Sequence, residues 1–165
     1  MMKRFALLIA VLTMTVAAHA QFQKGKGYIG ASLTGLDMHY NGGDKFNFGL
    51  EAKGGYILWD NLMALGSIGY QHSGRDEVQD YFELGVGGRY YIIQNGLYLG
   101  LNAKWIHANG NYNDVMPGVE VGYAFYIDRS VTIEPAVYYD QSFRNHRDFS
   151  TIGLKVGLGV YLFDD

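Results

Sequence analysis

The sequence predicts an all-β fold, an eight-stranded antiparallel up-and-down transmembrane β-barrel. Three observations lead there. Beyond residue 20, apolar residues alternate with polar residues or glycine at period two in segment after segment. The connections between these segments alternate between tight turns and longer polar loops, the organisation of a membrane barrel. Glycine and tyrosine are abundant together, with 23 and 14 residues against two prolines. Glycine-rich chains are often disordered, but disorder does not come with 15% aromatic residues.

The N-terminus reads as a secretory signal over residues 1–20. Lys3 and Arg4 precede an apolar run from Phe5 to Val16, and Ala18-His19-Ala20 fits the small-residue cleavage pattern. The run is short for a membrane-spanning helix. Gln21 is then the first residue of the barrel domain, 21–165. The chain has no cysteine, which excludes disulfides and a lipidated cysteine anchor. With 13 basic and 16 acidic side chains and no basic cluster, nucleic acid is not an expected partner.

The strands follow in order. Tyr28 to Leu36 sets Ile29, Ala31 and Leu33 against Gly30, Ser32 and Thr34. From Phe46, the residues Phe46, Phe48, Leu50, Ala52, Tyr56 and Leu58 oppose Asn47, Gly49, Glu51, Lys53 and Gly55. Leu62 to Gln71 is ambiguous in phase; Ile68 and Tyr70 are placed outward, with Ser67, Gly69 and Gln71 inward. From Tyr81, the set Phe82, Leu84, Val86, Tyr90 and Ile92 opposes Glu83, Gly85, Gly87, Arg89 and Tyr91. From Leu97, alternate apolar residues to Trp105 oppose Tyr98, Gly100, Asn102 and Lys104. Val115 to Ile127, Val131 to Tyr139 and Thr151 to Leu162 repeat the pattern. Pro135 falls mid-strand, where a missing N–H predicts a local bulge.

Trp59-Asp60-Asn61, Gln94-Asn95-Gly96 and Asp128-Arg129-Ser130 are the tight turns. Longer connections are expected at about 37–45, 72–80, 107–114 and 140–148. Both termini fall on the turn side, which predicts periplasmic termini and long loops facing out of the cell.

The apolar face is assigned to lipid. Strands of about 9–11 residues cross an apolar band about 25 Å tall, and outward rings gather near both strand ends. The opposite face carries four acids, Glu51, Glu83, Glu120 and Glu134, and four bases, Lys53, Arg89, Lys104 and Lys155. A narrow lumen requires such balance, because an unpaired buried charge is costly. These eight residues are therefore expected to form a structural salt-bridge network centred on Glu83, Arg89, Lys104 and Glu120. Inward glycines make room for their side chains.

Here the sequence resembles the small outer-membrane barrel proteins, the group that includes the OmpA transmembrane domain and OmpX, over residues 25–163. The most specific match is the last strand, Lys155 to Phe163, which is similar to the C-terminal β-signal of that group. Gly157, Val160, Leu162 and Phe163 supply its glycine and spaced apolar or aromatic residues, although Asp164 and Asp165 follow where the group often ends on the aromatic. The resemblance implies delivery by the barrel assembly machinery to the bacterial outer membrane and a monomeric barrel without enzymatic activity. The chain stops with the barrel, so no peptidoglycan-binding domain is expected.

No catalytic residue, metal site or cofactor is expected. His39, His72, His107 and His146 lie in or beside different loops, and the phases turn His72 and His107 outward to the headgroup region. His72-Ser73 and His146 with Ser150 are the only candidates for a lipid-modifying enzyme, and neither forms a complete constellation. A small-solute pore is the other alternative, opposed by the inward side chains that fill an eight-stranded lumen. Lys45, Arg144 and Arg147 are the candidates for contact with lipopolysaccharide phosphates. The expected role is a plugged barrel that displays four loops for envelope structure or adhesion.

Overall fold

A computed structural model describes residues 22–36, 48–72, 80–92, 95–108, 112–144 and 150–162. Its strands are β1 (Gly27–Leu36), β2 (Phe48–Trp59), β3 (Leu62–His72), β4 (Tyr81–Tyr91), β5 (Leu97–Ala108), β6 (Tyr112–Tyr123), β7 (Phe125–Tyr126), β8 (Val131–Asp140) and β9 (Thr151–Leu162). Every pairing among them is antiparallel, and β1 pairs with β9, so the sheet closes on itself. Both β6 and β7 pair with β8 in one continuous register, so they are two parts of a single stave. The barrel has eight staves.

The break between β6 and β7 replaces the bulge expected at Pro135. Val131 O accepts from Ile127 N, so the odd-numbered residues of β8 turn their backbone groups towards β6 and β7. Pro135 is one of these, and it has no N–H to give. Pairing stops at Gly122↔Ala136 and resumes at Phe125↔Ile133 without a shift, and β8 stays in register with β9. The missing donor is absorbed as a gap in one ladder, with no inserted residue. Register shifts occur elsewhere, between Thr34 and Leu36 and between Ile57 and Trp59.

The tight turns have the backbone their residues suit. Asn61 (φ 69°) and Gly96 (φ 98°) take the left-handed conformation, and Asn95 Oδ1 accepts from Leu97 N at 3.0 Å. The expected long connection at 107–114 is shorter than its composition suggested. Pairing between β5 and β6 runs up to Ala108↔Tyr112, leaving residues 109–111 between the strands. Its polar residues are strand residues: His107 and Asn113 face each other across the ladder, and Asp114 points into the barrel.

The alternation sorts chemistry as the sequence predicts, including the ambiguous β3. Ile68 and Tyr70 are exposed, and Gly69 is buried. Large apolar side chains cover the outer wall, with Val86 and Leu101 each 69% exposed. Water-soluble proteins do not carry apolar surface on this scale; a bilayer requires it. Exposed Tyr56, Trp59, Tyr90 and Phe125 lie towards the turns, and exposed Tyr70, Phe82, Trp105 and Tyr139 towards the other rim. Two aromatic girdles thus frame an apolar band.

Candidate functional site

Among the described residues, buried polar and charged side chains are concentrated in the lumen, which is layered from the turn side upward. The lowest layer is aromatic. Tyr28, Tyr91, Tyr98 and Tyr161 sit at the turn-side ends of their strands and point inward. Phe22 joins them from the segment before β1, fully buried and stacked on Tyr91 at 3.7 Å between ring centroids and 8° between planes. That segment is tied down by its backbone. Asn61 N donates to Phe22 O, and Lys24 N donates to Asp60 Oδ1 at 3.0 Å. The sequence reading assigned no role to Phe22.

Above the rings lies the main ion cluster. Arg89, 1% exposed, donates to Glu134 at 2.8 Å and to Glu120 at 3.2 Å, and its guanidinium lies 3.9 Å over the Tyr98 ring. Glu134 also accepts from Tyr28 and Thr132. Glu120 is the hub, pairing with Arg89, with Lys53 at 3.5 Å and with Lys155. Glu51 joins through Lys53 at 3.3 Å and Lys155 at 3.8 Å. Gly159 shows why glycine lines this layer. A Cβ there would lie 2.6 Å from Glu134 Oε1 and 2.7 Å from both Thr132 and Tyr28.

A second cluster lies nearer the other rim. Lys104 pairs with Asp140 at 2.8 Å and with Glu83 at 3.7 Å. The structure therefore brings all eight predicted residues into the lumen, but it corrects the grouping. Glu120 and Arg89 belong to one cluster, Glu83 and Lys104 to another, so they do not share a centre. The four-to-four balance is corrected too. Asp140 and Asp114 are buried with the eight, giving acids the excess among the described lumen residues. Their phase was available in the sequence, since Asp140 continues the even-numbered inward row of β8 and Asp114 that of β6.

At the upper end of the lumen, the residues after β8 pack around Asp114. Ser142, 1% exposed, donates its hydroxyl to Asp114, which also accepts from Tyr112 and from the Arg144 backbone N–H. Gln141 N donates to Pro117 O. Arg144 reaches Asn113 O at 2.8 Å and covers the Tyr112 ring. Ile106 and Met116 are buried beneath, packed with Tyr81 and Tyr112. Interior cavities beside Glu51 and Asn102 and beside Ser32 and Glu134 measure about 20 and 10 Å³, room for a water molecule at most.

The remaining predicted residues separate. Arg144, a lipopolysaccharide candidate, is engaged in the clasp just described; Lys45 and Arg147 lie outside the described residues. Of the β-signal, Gly157 faces the lumen, Val160 and Leu162 face out, and Phe163 lies outside the described residues. His72 and His107 are on the outer face, and His39, Ser73 and His146 lie outside the described residues. Ser150 Oγ accepts from Ser142 N at 2.9 Å, so it is part of the upper clasp. Among the described residues no group of three or more histidine, cysteine or acidic side chains is arranged to hold a metal.

Comparison with protein-family models and with curated sequences gives no match. Solved structures do match. Neisserial surface protein A, at 15% identity, superimposes with a TM-score of 0.60 over 83% of this chain and 99% of that one. The Yersinia pestis outer membrane protein Ail in a phospholipid bilayer nanodisc gives 14% identity and 0.57 over 84% and 100%. A de novo designed transmembrane β-barrel gives 12% and 0.54 over 85% and 98%. Identities this low establish a shared fold, that of the small eight-stranded membrane barrels.

Proposed function

We propose that this protein is a sealed, non-enzymatic barrel of the bacterial outer membrane that holds its longer connections at the cell surface. One observation carries the reading. An apolar outer wall encloses a lumen that carries paired charges, with Phe22 and its tyrosines packed at the lower end and Asp114 and Ser142 hydrogen-bonded at the upper. Such a wall suits a bilayer and not water, and side chains packed across an eight-stranded lumen support the sealed reading. What remains is a rigid stave wall that positions surface segments.

The rest of the reading follows from it. Residues 1–20 direct export and are removed, and the barrel assembly machinery inserts the chain as a monomer through its last strand. Both termini lie in the periplasm. The long connections face outwards, where Lys45 and Arg147 meet lipopolysaccharide phosphates, joined by Arg144 when it leaves its clasp. The neighbour whose name includes attachment and invasion, the Yersinia Ail protein, lends an adhesive role some weight.

Two measurements test the proposal. In cell fractionation the protein is expected with outer membranes, migrating faster on a gel before heating than after. In planar bilayers the purified barrel is expected to be silent or to show rare, small openings. Steady large conductance steps contradict the sealed lumen, and recovery in the soluble fraction contradicts the membrane assignment.

A further inference from the structure

The chain has two prolines, Pro117 and Pro135, and a closed barrel offers neither a free edge. In an antiparallel ladder, opposed residues alternate between pairs that exchange two hydrogen bonds and pairs that exchange none. The position of a proline in that alternation decides what it costs. Between β8 and its partners β6 and β7, Ile127 N donates to Val131 O and Gln141 N donates to Pro117 O. The register is constant between these points, so the bonded positions of this seam are the odd-numbered residues. Both prolines are among them. Pro117 accepts from Gln141 and has no N–H to return; Pro135 has none to give opposite Tyr123, where the pairing lapses. Towards their other neighbours both prolines cost nothing. Ala124 N donates to Gly96 O, which makes even-numbered residues of β6 the bonded ones towards β5. Tyr161 N donates to Ser130 O, which does the same for β8 towards β9. Every donor that proline removes from the wall is removed from one seam.

The lumen braces the same seam. Arg89 of β4 forks, donating to Glu120 of β6 at 3.2 Å and to Glu134 of β8 at 2.8 Å. Glu134 is the chain neighbour of Pro135. Lys104 of β5 pairs with Asp140 of β8 at 2.8 Å, and Asp140 is the chain neighbour of Gln141, opposite Pro117. Lys155 of β9 reaches past β8 to Glu120. Beside each missing donor, then, a cation links the two sides of the seam. Charge-assisted hydrogen bonds are stronger than those between neutral groups, so a ladder short of donors in the wall is held from inside.

We propose that the barrel is built to part sideways between β6–β7 and β8, and that Arg89 and Lys104 are the latches that keep this seam shut. The latched wall is closed at rest, as the sealed reading requires, and the opening it permits faces the bilayer. The inference goes beyond that reading, because it depends only on the closed sheet and on what crosses it.

The test is native-state hydrogen exchange on the full barrel in phosphatidylcholine nanodiscs, read residue by residue by NMR. The amides of Val119, Val121 and Val137 point into this seam. Those of Leu99 and Leu101 point into the ladder between β5 and β4, where Ile92 N donates to Leu97 O and no proline falls. All five side chains face outwards, which makes the leucines fair controls. Corrected for intrinsic rates, the three valines are expected to exchange about fivefold to thirtyfold faster than the leucines, the effect of one or both missing bonds. Pro135→Ala returns a donor and should slow the valines about fivefold. Arg89→Lys keeps the charge and loses the fork. It should speed the valines by about tenfold, the effect of one charge-assisted bond, and leave the leucines unchanged. Lys104→Gln makes the same comparison at the second latch. Valines as well protected as the leucines in the unaltered barrel overturn the weak seam. Variants at Arg89 and Lys104 that speed all five amides alike, or none, overturn the latch, because a side chain that merely stabilises the barrel acts on every seam.

Discussion

At the turn side of the lumen, Phe22, Tyr91, Tyr98 and Tyr161 pack ring against ring, with Arg89 lying over them. At the loop side, Asp114 gathers hydroxyl and backbone donors from Ser142, Tyr112 and Arg144 over a small apolar patch. The lower end is held chiefly by buried area and dispersion, from a segment that precedes the barrel. The upper one is chiefly hydrogen bonds, held by the stem of a connection. Between them, fixed charges occupy the width of the barrel. The difference teaches where each end gets its strength. Rings keep most of their stabilisation when one partner loosens, whereas a buried carboxylate that loses a donor is left unsatisfied at a cost.

The middle layer sets the largest expected effect. Glu120→Ala leaves Arg89, Lys53 and Lys155 sharing Glu51 and Glu134 in a narrow lumen, and breaking a buried pair from one side costs about 3–5 kcal/mol. Urea unfolding in detergent, followed by tryptophan emission, is expected to show that loss. Phe22→Ala should cost less, about 2 kcal/mol; a core phenylalanine gives more, but here water can fill the space the ring leaves at the end of the barrel. The same variant should raise the frequency of small openings in a planar bilayer, which separates plugging from mere packing. Ser142→Ala should cost about 1 kcal/mol, the net value of one hydrogen bond, and should loosen the upper clasp without opening the lumen. If Ser142→Ala proved costlier than Phe22→Ala, the comparison would be reversed.

The fold was legible because one signal repeats. A period-two pattern with short turns at Asn61 and Gly96 specifies which face is buried and which strands are neighbours, and a slip by one residue would turn every charge into lipid. The same rule, carried one or two residues further along β8 and β6, reaches Asp140 and Asp114. Their position at strand ends made them look like loop residues. Phe22 had no repeat to mark it, being a single aromatic ahead of the first strand. The ion partners were illegible for a geometric reason. Strands of a barrel tilt and are staggered, so residues at unlike counts from their turns, such as Glu120 and Lys155, meet across the lumen. Pro135 misled because a proline in a strand suggests an inserted residue, while here the sheet simply omits a bond.

Single cysteines can be placed in β5 from Leu99 to Trp105, since the chain has none of its own. With a nitroxide attached at each, collision with oxygen reports lipid, and collision with a water-soluble nickel complex reports solvent. Leu99, Leu101, Ala103 and Trp105 are predicted to be high for oxygen and low for nickel, and Gly100, Asn102 and Lys104 low for both. High nickel accessibility at the odd positions would put the apolar wall in water and contradict the account at its root.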